Sequence, residues 1–205
     1  MKEVKDKWNA LADSWSKQWI APMEEWQWDE RLSFAQCVDN GLILDLGCGP
    51  GRDTGIFNGL GLSCVGLDFS EQMLRLAKEN QGQTICADMT MLPFRSGTFN
   101  GIWSCSAMKY LMPKAMLASL KEVRRVLRNG GVFWLGLDEG QGENIEDRED
   151  MKLSLQLHTE ESIRPHLKNL GFKIIEIKRV KTWRPFISFL MKATQEDAIN
   201  LDTPI

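Results

Sequence analysis

Thirteen residues, Leu42 to Thr54, restrict what this chain can become: Leu-Ile-Leu-Asp-Leu-Gly-Cys-Gly-Pro-Gly-Arg-Asp-Thr. The run Leu42 to Leu46 is mostly apolar and reads as a buried parallel strand. Gly47, Gly49 and Gly51 end it, letting the backbone turn sharply and a ligand lie against the main chain. From Arg52 onward the pattern reads as a helix. Strand, glycine loop and helix form the nucleotide-cradling unit of doubly wound folds; a tight turn with no ligand is the competing reading. The spacing departs from G-x-G-x-x-G, because the third glycine comes one residue early and Arg52 takes its place. Asp45, two residues before the first glycine, would repel a pyrophosphate but suits a cationic ligand or an ammonium group.

The residues that follow repeat the strand-then-helix theme. Leu62 to Leu67 reads as a second strand closed by Asp68. Ser70 is the expected N-cap of the next helix, with Glu71 in its first turn. Asp68 lies about 20 residues past the first glycine, the offset at which a carboxylate accepts from both ribose hydroxyls. Phe69 and Met73 are then expected beside an adenine. Gln83 to Ala87 reads as a third strand leading into Asp88-Met89, with Asp88 placed to accept from an adenine amino group. Phe99 to Cys105 is the fourth strand, and the loop Ser106 to Leu111 leaves its carboxyl end, where open sheets bind ligands. Pro113 starts an amphipathic helix with Met116, Leu117, Leu120, Val123 and Leu127 on one face, ended by Asn129-Gly130-Gly131. Val132 to Leu137 is the fifth strand. A capped helix from Thr159 stops at Gly171, Phe172 to Val180 alternates as a strand, and Trp183 to Met191 supplies the last one.

Asp45-Leu46-Gly47-Cys48-Gly49-Pro50-Gly51 resembles the first motif of the class I S-adenosylmethionine methyltransferases. Ala87, Asp88, Leu92, Pro93 and Phe94 match their Ala-Asp-x-x-x-Leu-Pro-Phe pattern. Arg125-Val126-Leu127-Arg128-Asn129-Gly130-Gly131 is similar to their Arg-Val-Leu-Lys-Pro-Gly-Gly signature. Relatives carry Asp where Asn100 stands, and many carry His-His where Lys109-Tyr110 stand. Gly51-Arg52-Asp53-Thr54 and the Gly-x-Gly-Glu segment Gly140 to Glu143 resemble the short bacterial small-molecule members (type 11/25-like). The resemblance implies an α/β fold, a three-layer αβα Rossmann-like sandwich on a seven-stranded, mostly parallel sheet with an antiparallel last strand. It implies S-adenosyl-L-methionine as cofactor and S-adenosyl-L-homocysteine as product. The expected cofactor contacts are Asp45, Gly47, Cys48, Gly49, Gly51, Arg52, Asp68, Phe69, Met73, Asp88, Met89 and Ser104. No catalytic residue is fixed; Tyr110, Lys109 and His158 are the candidates. Lys109 suits steering of an anionic substrate, and Tyr110 suits positioning or deprotonating one.

The first 40 residues hold five of the eight tryptophans. Trp8, Ala12, Trp15 and Trp19 share one helix face. They serve as core staples, or as a lid whose rings cover the cofactor or line a substrate pocket, where each ring near a sulfonium adds about 1 kcal/mol of cation–π energy. Pro22, Trp26 and Trp28 suggest a break and a second helix to about Asn40. The expected organisation is therefore a helical, Trp-rich cap over residues 1–40, the main domain over 41–193 and a loose tail over 194–205. Asp138 to Asp150 reads as a long acidic loop, either a substrate-side cover or a solvated charge run.

Composition narrows the function. At 205 residues with a net charge of −3, nothing advertises a nucleic-acid binder, and the Asn/Asp-Pro-Pro-Tyr/Phe motif of amino-directed DNA enzymes is absent after Ser104. No apolar run nears the roughly 20 residues that span a bilayer. The five cysteines form no C-x-x-C pair and fit a reducing cytoplasm. No metal-ligand spacing is present. The expected partner is a small-molecule substrate. The alternatives are a non-catalytic S-adenosylmethionine- or S-adenosylhomocysteine-binding module, a nucleic-acid methyltransferase, and an NAD-dependent dehydrogenase, against which the early glycine, Asp45 and Asp88 argue.

Overall fold

The computed structural model describes residues 2–19, 25–38, 40–79, 83–148, 151–181 and 184–194. The run Leu42–Leu46 is β1, an inner strand of a seven-stranded sheet. Its parallel neighbours are β2 (Ser63–Asp68) and β4 (Phe99–Cys105). Outside them lie β3 (Gln83–Cys86) and β5 (Leu127–Asp138). β9 (Pro185–Ala193) runs antiparallel between β5 and β8 (Phe172–Lys181), completing the order β3-β2-β1-β4-β5-β9-β8. The chain steps outward from β1 to β3, then crosses back to β4. That reversal opens a crevice beside the carboxyl end of β1.

Alternation along the buried strands builds two apolar layers. Leu44, Leu46, Ile102, Phe133 and Leu135 face α5 (Pro113–Val126) and α6 (Glu160–Asn169). Ile43, Cys64, Trp103, Val132 and Trp134 face α2 (Glu25–Cys37) and α3 (Arg52–Gly59). α2 comes down over Gly101, where an added Cβ would sit 2.8 Å from Val38 and 2.9 Å from Phe34. A third cluster joins Trp8, Leu11 and Ala12 of α1 (Lys2–Trp19) to Met73 of α4 (Glu71–Glu79) and Leu153 of β7 (Met151–Gln156).

Four expectations change. Residues 138–150 are no simple loop: β5 continues to Asp138, and β6 (Glu143–Arg148) pairs antiparallel with β7. The acidic run conceals two inward carboxylates among the described residues, Asp138, paired with Lys109, and Glu146, which is 3% exposed and neutralised by Arg148. The fifth strand begins at Leu127 rather than Val132, and α5 ends at Val126 rather than at Asn129-Gly130-Gly131, because Leu127 is buried and pairs with Phe99. The ladder and the core outweigh helical spacing there. A register shift between Ile174 and Glu176 turns Ile175 outward, 49% exposed, and interrupts the expected alternation of Phe172 to Val180. Thr194 is tied down, donating to Gly171 O at 2.8 Å, so the described chain is anchored one residue beyond the expected boundary. The break at Pro22, the residue Trp183 and positions 195–205 lie outside the described residues. Among the described residues no helix is long and apolar enough to cross a membrane.

Candidate functional site

The glycine loop between β1 and α3 is held from below. Gly47 N and Cys48 N both donate to Leu67 O of β2, at 2.7 and 3.0 Å, and Gly51 N donates to Cys48 O. Asp68, at the tip of β2, fixes the loop from the side. Its Oδ2 accepts from Gly49 N at 3.0 Å and its Oδ1 from Ser70 N at 2.9 Å. Ser70 caps α4 by accepting from Met73 N, and donates to Asn9 of α1 at 2.7 Å. Asp68 therefore has a capping share as well as open lone pairs, and it is 8% exposed. Burial pushes its carboxyl above the usual range, partly opposed by the backbone N–H groups of Ser70 and Gly49.

The three loop glycines answer to different constraints. Gly47, at φ +78°, faces the segment after β4: an added Cβ would sit 2.2 Å from Ala107 Cβ. Gly51, at φ +82°, faces Ala77 of α4 at 2.9 Å and does not line the cavity. Gly49, at φ +52°, has nothing within 4 Å of its missing side chain and does line it. Gly47→Ala is thus expected to cost the left-handed strain of about 1–2 kcal/mol plus an overpacking cost of about 1–3 kcal/mol. Gly49→Ala should cost only the strain, yet block a ligand lying on the loop. Thermal unfolding paired with ligand titration checks this; equal destabilisation by the two substitutions would remove the distinction.

A cavity opens beside the loop. It brings together Asp45, Gly47, Cys48, Gly49, Arg52, Asp68, Phe69, Met73, Asp88 and Met89 with Trp8, Trp15 and Tyr110. Asp88 Oδ1 is occupied by the Thr90 amide and hydroxyl, at 2.8 and 2.7 Å. Other expected residues stand apart. Ser104 is fully buried in β4 and off the cavity wall. Lys109 turns away into an ion pair with Asp138 Oδ1 at 3.1 Å. Since Lys109 is 5% exposed and paired, it offers no free charge for steering. His158 sits behind β5, bridged to Glu139, and does not line the cavity; burial lowers its basicity. The side chain of Trp19 lies outside the described residues.

Sequence reasoning missed a buried polar floor. Arg31 of α2 donates to Asp53 Oδ1 from Nε at 3.0 Å and Nη2 at 2.6 Å, and Trp103 Nε1 donates to Asp53 Oδ2 at 2.8 Å. Burial alone would raise the Asp53 carboxyl, but the Arg31 and Arg52 guanidinium groups hold it below its ordinary value. Next to it Glu30 accepts from Trp134 Nε1 at 2.5 Å and Ser188 Oγ at 3.1 Å. The available signal was the pair of tryptophans on inward strand positions, since a buried indole N–H needs an acceptor.

Asp45 accepts from Thr54 Oγ1 at 2.7 Å and is pushed up to about 7, by burial first and then by the Asp53 charge. Its unfolded value is near 3.8, so between about pH 4 and 7 the folded chain keeps a proton that the unfolded chain releases. The stability from this group is complete below pH 4 and is lost as pH rises through 7. Asp45→Asn, which keeps an acceptor for Thr54, should flatten that decline in urea titrations between pH 4 and 8; an unchanged slope would assign it elsewhere.

The donor set fits a nucleoside carrying no phosphate. Carboxylates stand at the tips of β1, β2 and just past β3, Gly49 leaves an open cradle, and Phe69, Met73, Ala87 and Met89 supply apolar lining. The methyltransferase domain family model matches residues 44–135. The Schizosaccharomyces pombe 18S rRNA (guanine-N(7))-methyltransferase bud23 is 46% identical over 102 residues, 48% of this chain and 38% of that protein. A malonyl-[acyl-carrier protein] O-methyltransferase from Erwinia pyrifoliae is 36% identical over 101 residues, again 48% and 38%. The chain spans under two fifths of the length of these curated relatives. Among solved structures, the Burkholderia thailandensis 1,6-didemethyltoxoflavin-N1-methyltransferase, crystallised with 1,6-didemethyltoxoflavin and S-adenosylhomocysteine, aligns with a TM-score of 0.76 at 18% identity, over 93% of this chain and 87% of that one. An S-adenosylmethionine-dependent methyltransferase from Clostridium acetobutylicum aligns at 0.71 and 19% identity, covering 91% and 99%. With the motif order, the strand order and the family match in agreement, residues 44–135 form a methyltransferase domain on the Rossmann-like fold of the class I S-adenosylmethionine-dependent enzymes.

Proposed function

We propose that the chain methylates a small-molecule acceptor. When bound, S-adenosylmethionine would supply a methyl carbon activated by a sulfonium, open to in-line attack by an acceptor nucleophile with S-adenosylhomocysteine as the leaving group. The residues of this chain hold and exclude. Asp68 would hold the ribose hydroxyls, Asp88 the adenine amino group, and Gly47 to Gly49 the loop-side edge. Residues 1–40 act in two parts: α1 roofs the cavity, and α2 braces the sheet below it. Alignment of this kind is worth up to about 10 kcal/mol of barrier. Tyr110 is no general base, because burial and then the Glu146 charge push its phenol well above its ordinary value; its role is positional. Cys105 on the cavity wall is equally unsuited to act as a thiolate, pushed up to about 11 by burial and the Asp53 charge.

The observation that carries the small-molecule reading is the roof. Trp8 and Trp15 close over the cavity, and α1 is tied to α4 through Asn9 to Ser70 and Lys5 to Glu71. Asp45, Asp68 and Asp88 line the interior, and the one cation among the described lining residues, Arg52, is already on Asp53, so a phosphate backbone would find no complementary charge there. The five free cysteines suit a reducing cytoplasm. The rRNA-methylating relative favours a second reading, in which the acceptor is a nucleic-acid base that must be extruded to enter. Methyl-labelled S-adenosylmethionine added to fractionated cell extract tests both. Label in the metabolite fraction is expected; label confined to RNA would overturn the first reading in favour of the second, and no turnover beside measurable cofactor binding would leave a binding module.

A further inference from the structure

One wall of the cavity is a closed circuit. Glu146 of β6 accepts from Tyr110 Oη at 2.9 Å through Oε2 and from Arg148 Nη2 at 2.6 Å through Oε1. The Arg148 guanidinium lies 4.4 Å from the centre of the Trp15 ring. Trp15 meets Trp8 edge-on, with centroids 5.3 Å apart at 78°, and Trp8 meets Tyr110 edge-on at 5.0 Å and 74°. Tyr110 closes the loop back to Glu146. The three rings line the cavity, whereas Glu146 and Arg148 stand behind them. Behind that again, Asp138 pairs with Lys109 at 3.1 Å and Arg184 at 3.3 Å, and the Lys109 ammonium sits 5.2 Å from the Tyr110 centroid.

Resting on the methyltransferase reading, we infer that these three rings are the acceptor subsite, that Glu146 is the positioning residue which sets them, and that the subsite takes an uncharged, flat aromatic ring. The chemistry follows from which groups already use the π-systems. Trp15 and Tyr110 each already carry a protein cation near the ring, so a cationic ligand would have to share a π-system that Arg148 or Lys109 uses. An uncharged ring meets no such opposition and gains from edge and face contacts with three aromatics. The circuit comes from α1, the turn Met108–Tyr110 and the β6–β7 hairpin, none of which belongs to the glycine loop or its carboxylates. Damage to it should therefore separate acceptor binding from cofactor binding.

The test is calorimetry on the full chain with S-adenosylhomocysteine, followed by 2-naphthol or choline. In the wild type, 2-naphthol is expected to bind and choline to give no heat. Tyr110→Phe keeps the ring but loses the bond to Glu146, and should weaken 2-naphthol about fivefold. Glu146→Leu, which removes the acceptor shared by Tyr110 Oη and Arg148 Nη2, should weaken it at least about tenfold, whereas Glu146→Gln, which still accepts from Tyr110, should stay within about threefold. All three should keep S-adenosylhomocysteine affinity within about twofold, a split that a merely structural glutamate would not produce. Choline binding as tightly as 2-naphthol, or Glu146→Leu lowering both affinities in step, overturns the inference. Absence of S-adenosylhomocysteine binding in the wild type would instead defeat the methyltransferase reading; the 2-naphthol titrations on the unliganded chain then decide this one.

Discussion

Asp68→Ala is expected to weaken S-adenosylhomocysteine binding about 100-fold while the fold persists. Two terms add. The carboxylate accepts from Gly49 N and Ser70 N, so its loss frees one side of the glycine loop and one turn of α4. It also removes the acceptor proposed for the ribose hydroxyls, and hydrogen bonds to a charged group contribute about 1.5–3 kcal/mol each. Two such bonds correspond to roughly two to four powers of ten, reduced where water replaces them. Isothermal titration calorimetry measures the affinity and a melting curve separates folding from binding. An affinity within a few-fold of wild type would remove Asp68 from the ribose and leave it a loop cap alone.

The second large effect falls on stability. Arg31→Met should cost about 3–5 kcal/mol, the penalty for leaving a buried charge without its partner. Arg31 is 1% exposed and Asp53 7%. The guanidinium also donates to Gln27 O at 2.6 Å, so the side chain staples α2 to itself and to the first turn of α3. Asp53 would keep only Arg52 and Trp103. The double change Arg31→Met/Asp53→Asn should recover part of the loss, since no net charge then stays buried. Urea unfolding with matched m-values measures this. A single-variant loss under about 1 kcal/mol would mean that water or a rearranged Arg52 replaces the pair.

The parallel half of the sheet was legible because each strand is a short apolar run closed by a polar residue at its carboxyl tip. Leu42–Leu46 and Phe99–Cys105 begin and end where the pattern placed them. The convergence of these residues was legible for the same reason: strand tips and glycine positions are local features, and Asp45, Gly47, Asp68 and Asp88 line one cavity. What depended on distant partners was not. Lys109 looks like a loop lysine until Asp138, 29 residues on, takes it inside. Glu146 sits in an acidic stretch that resembles a solvated run, and only the pairing of Glu146 with Leu153 across the hairpin, and the arrival of Arg184, show it as an inward group. Arg31 and Glu30 are adjacent charges on a helix whose sequence has no clean apolar stripe, and what draws them inward are tryptophans of β4 and β5.

The central claim is that a sulfonium nucleoside, with no phosphate, lies across the tips of β1, β2 and β3. The most direct measurement is a crystal structure of the chain grown with S-adenosylhomocysteine. The expected density has ribose hydroxyls on Asp68, the adenine between Phe69, Met73 and Met89 with its amino group at Asp88, and the loop edge on Gly49. Density for the ligand anywhere else, or a cavity that admits NAD in its place, would contradict the account.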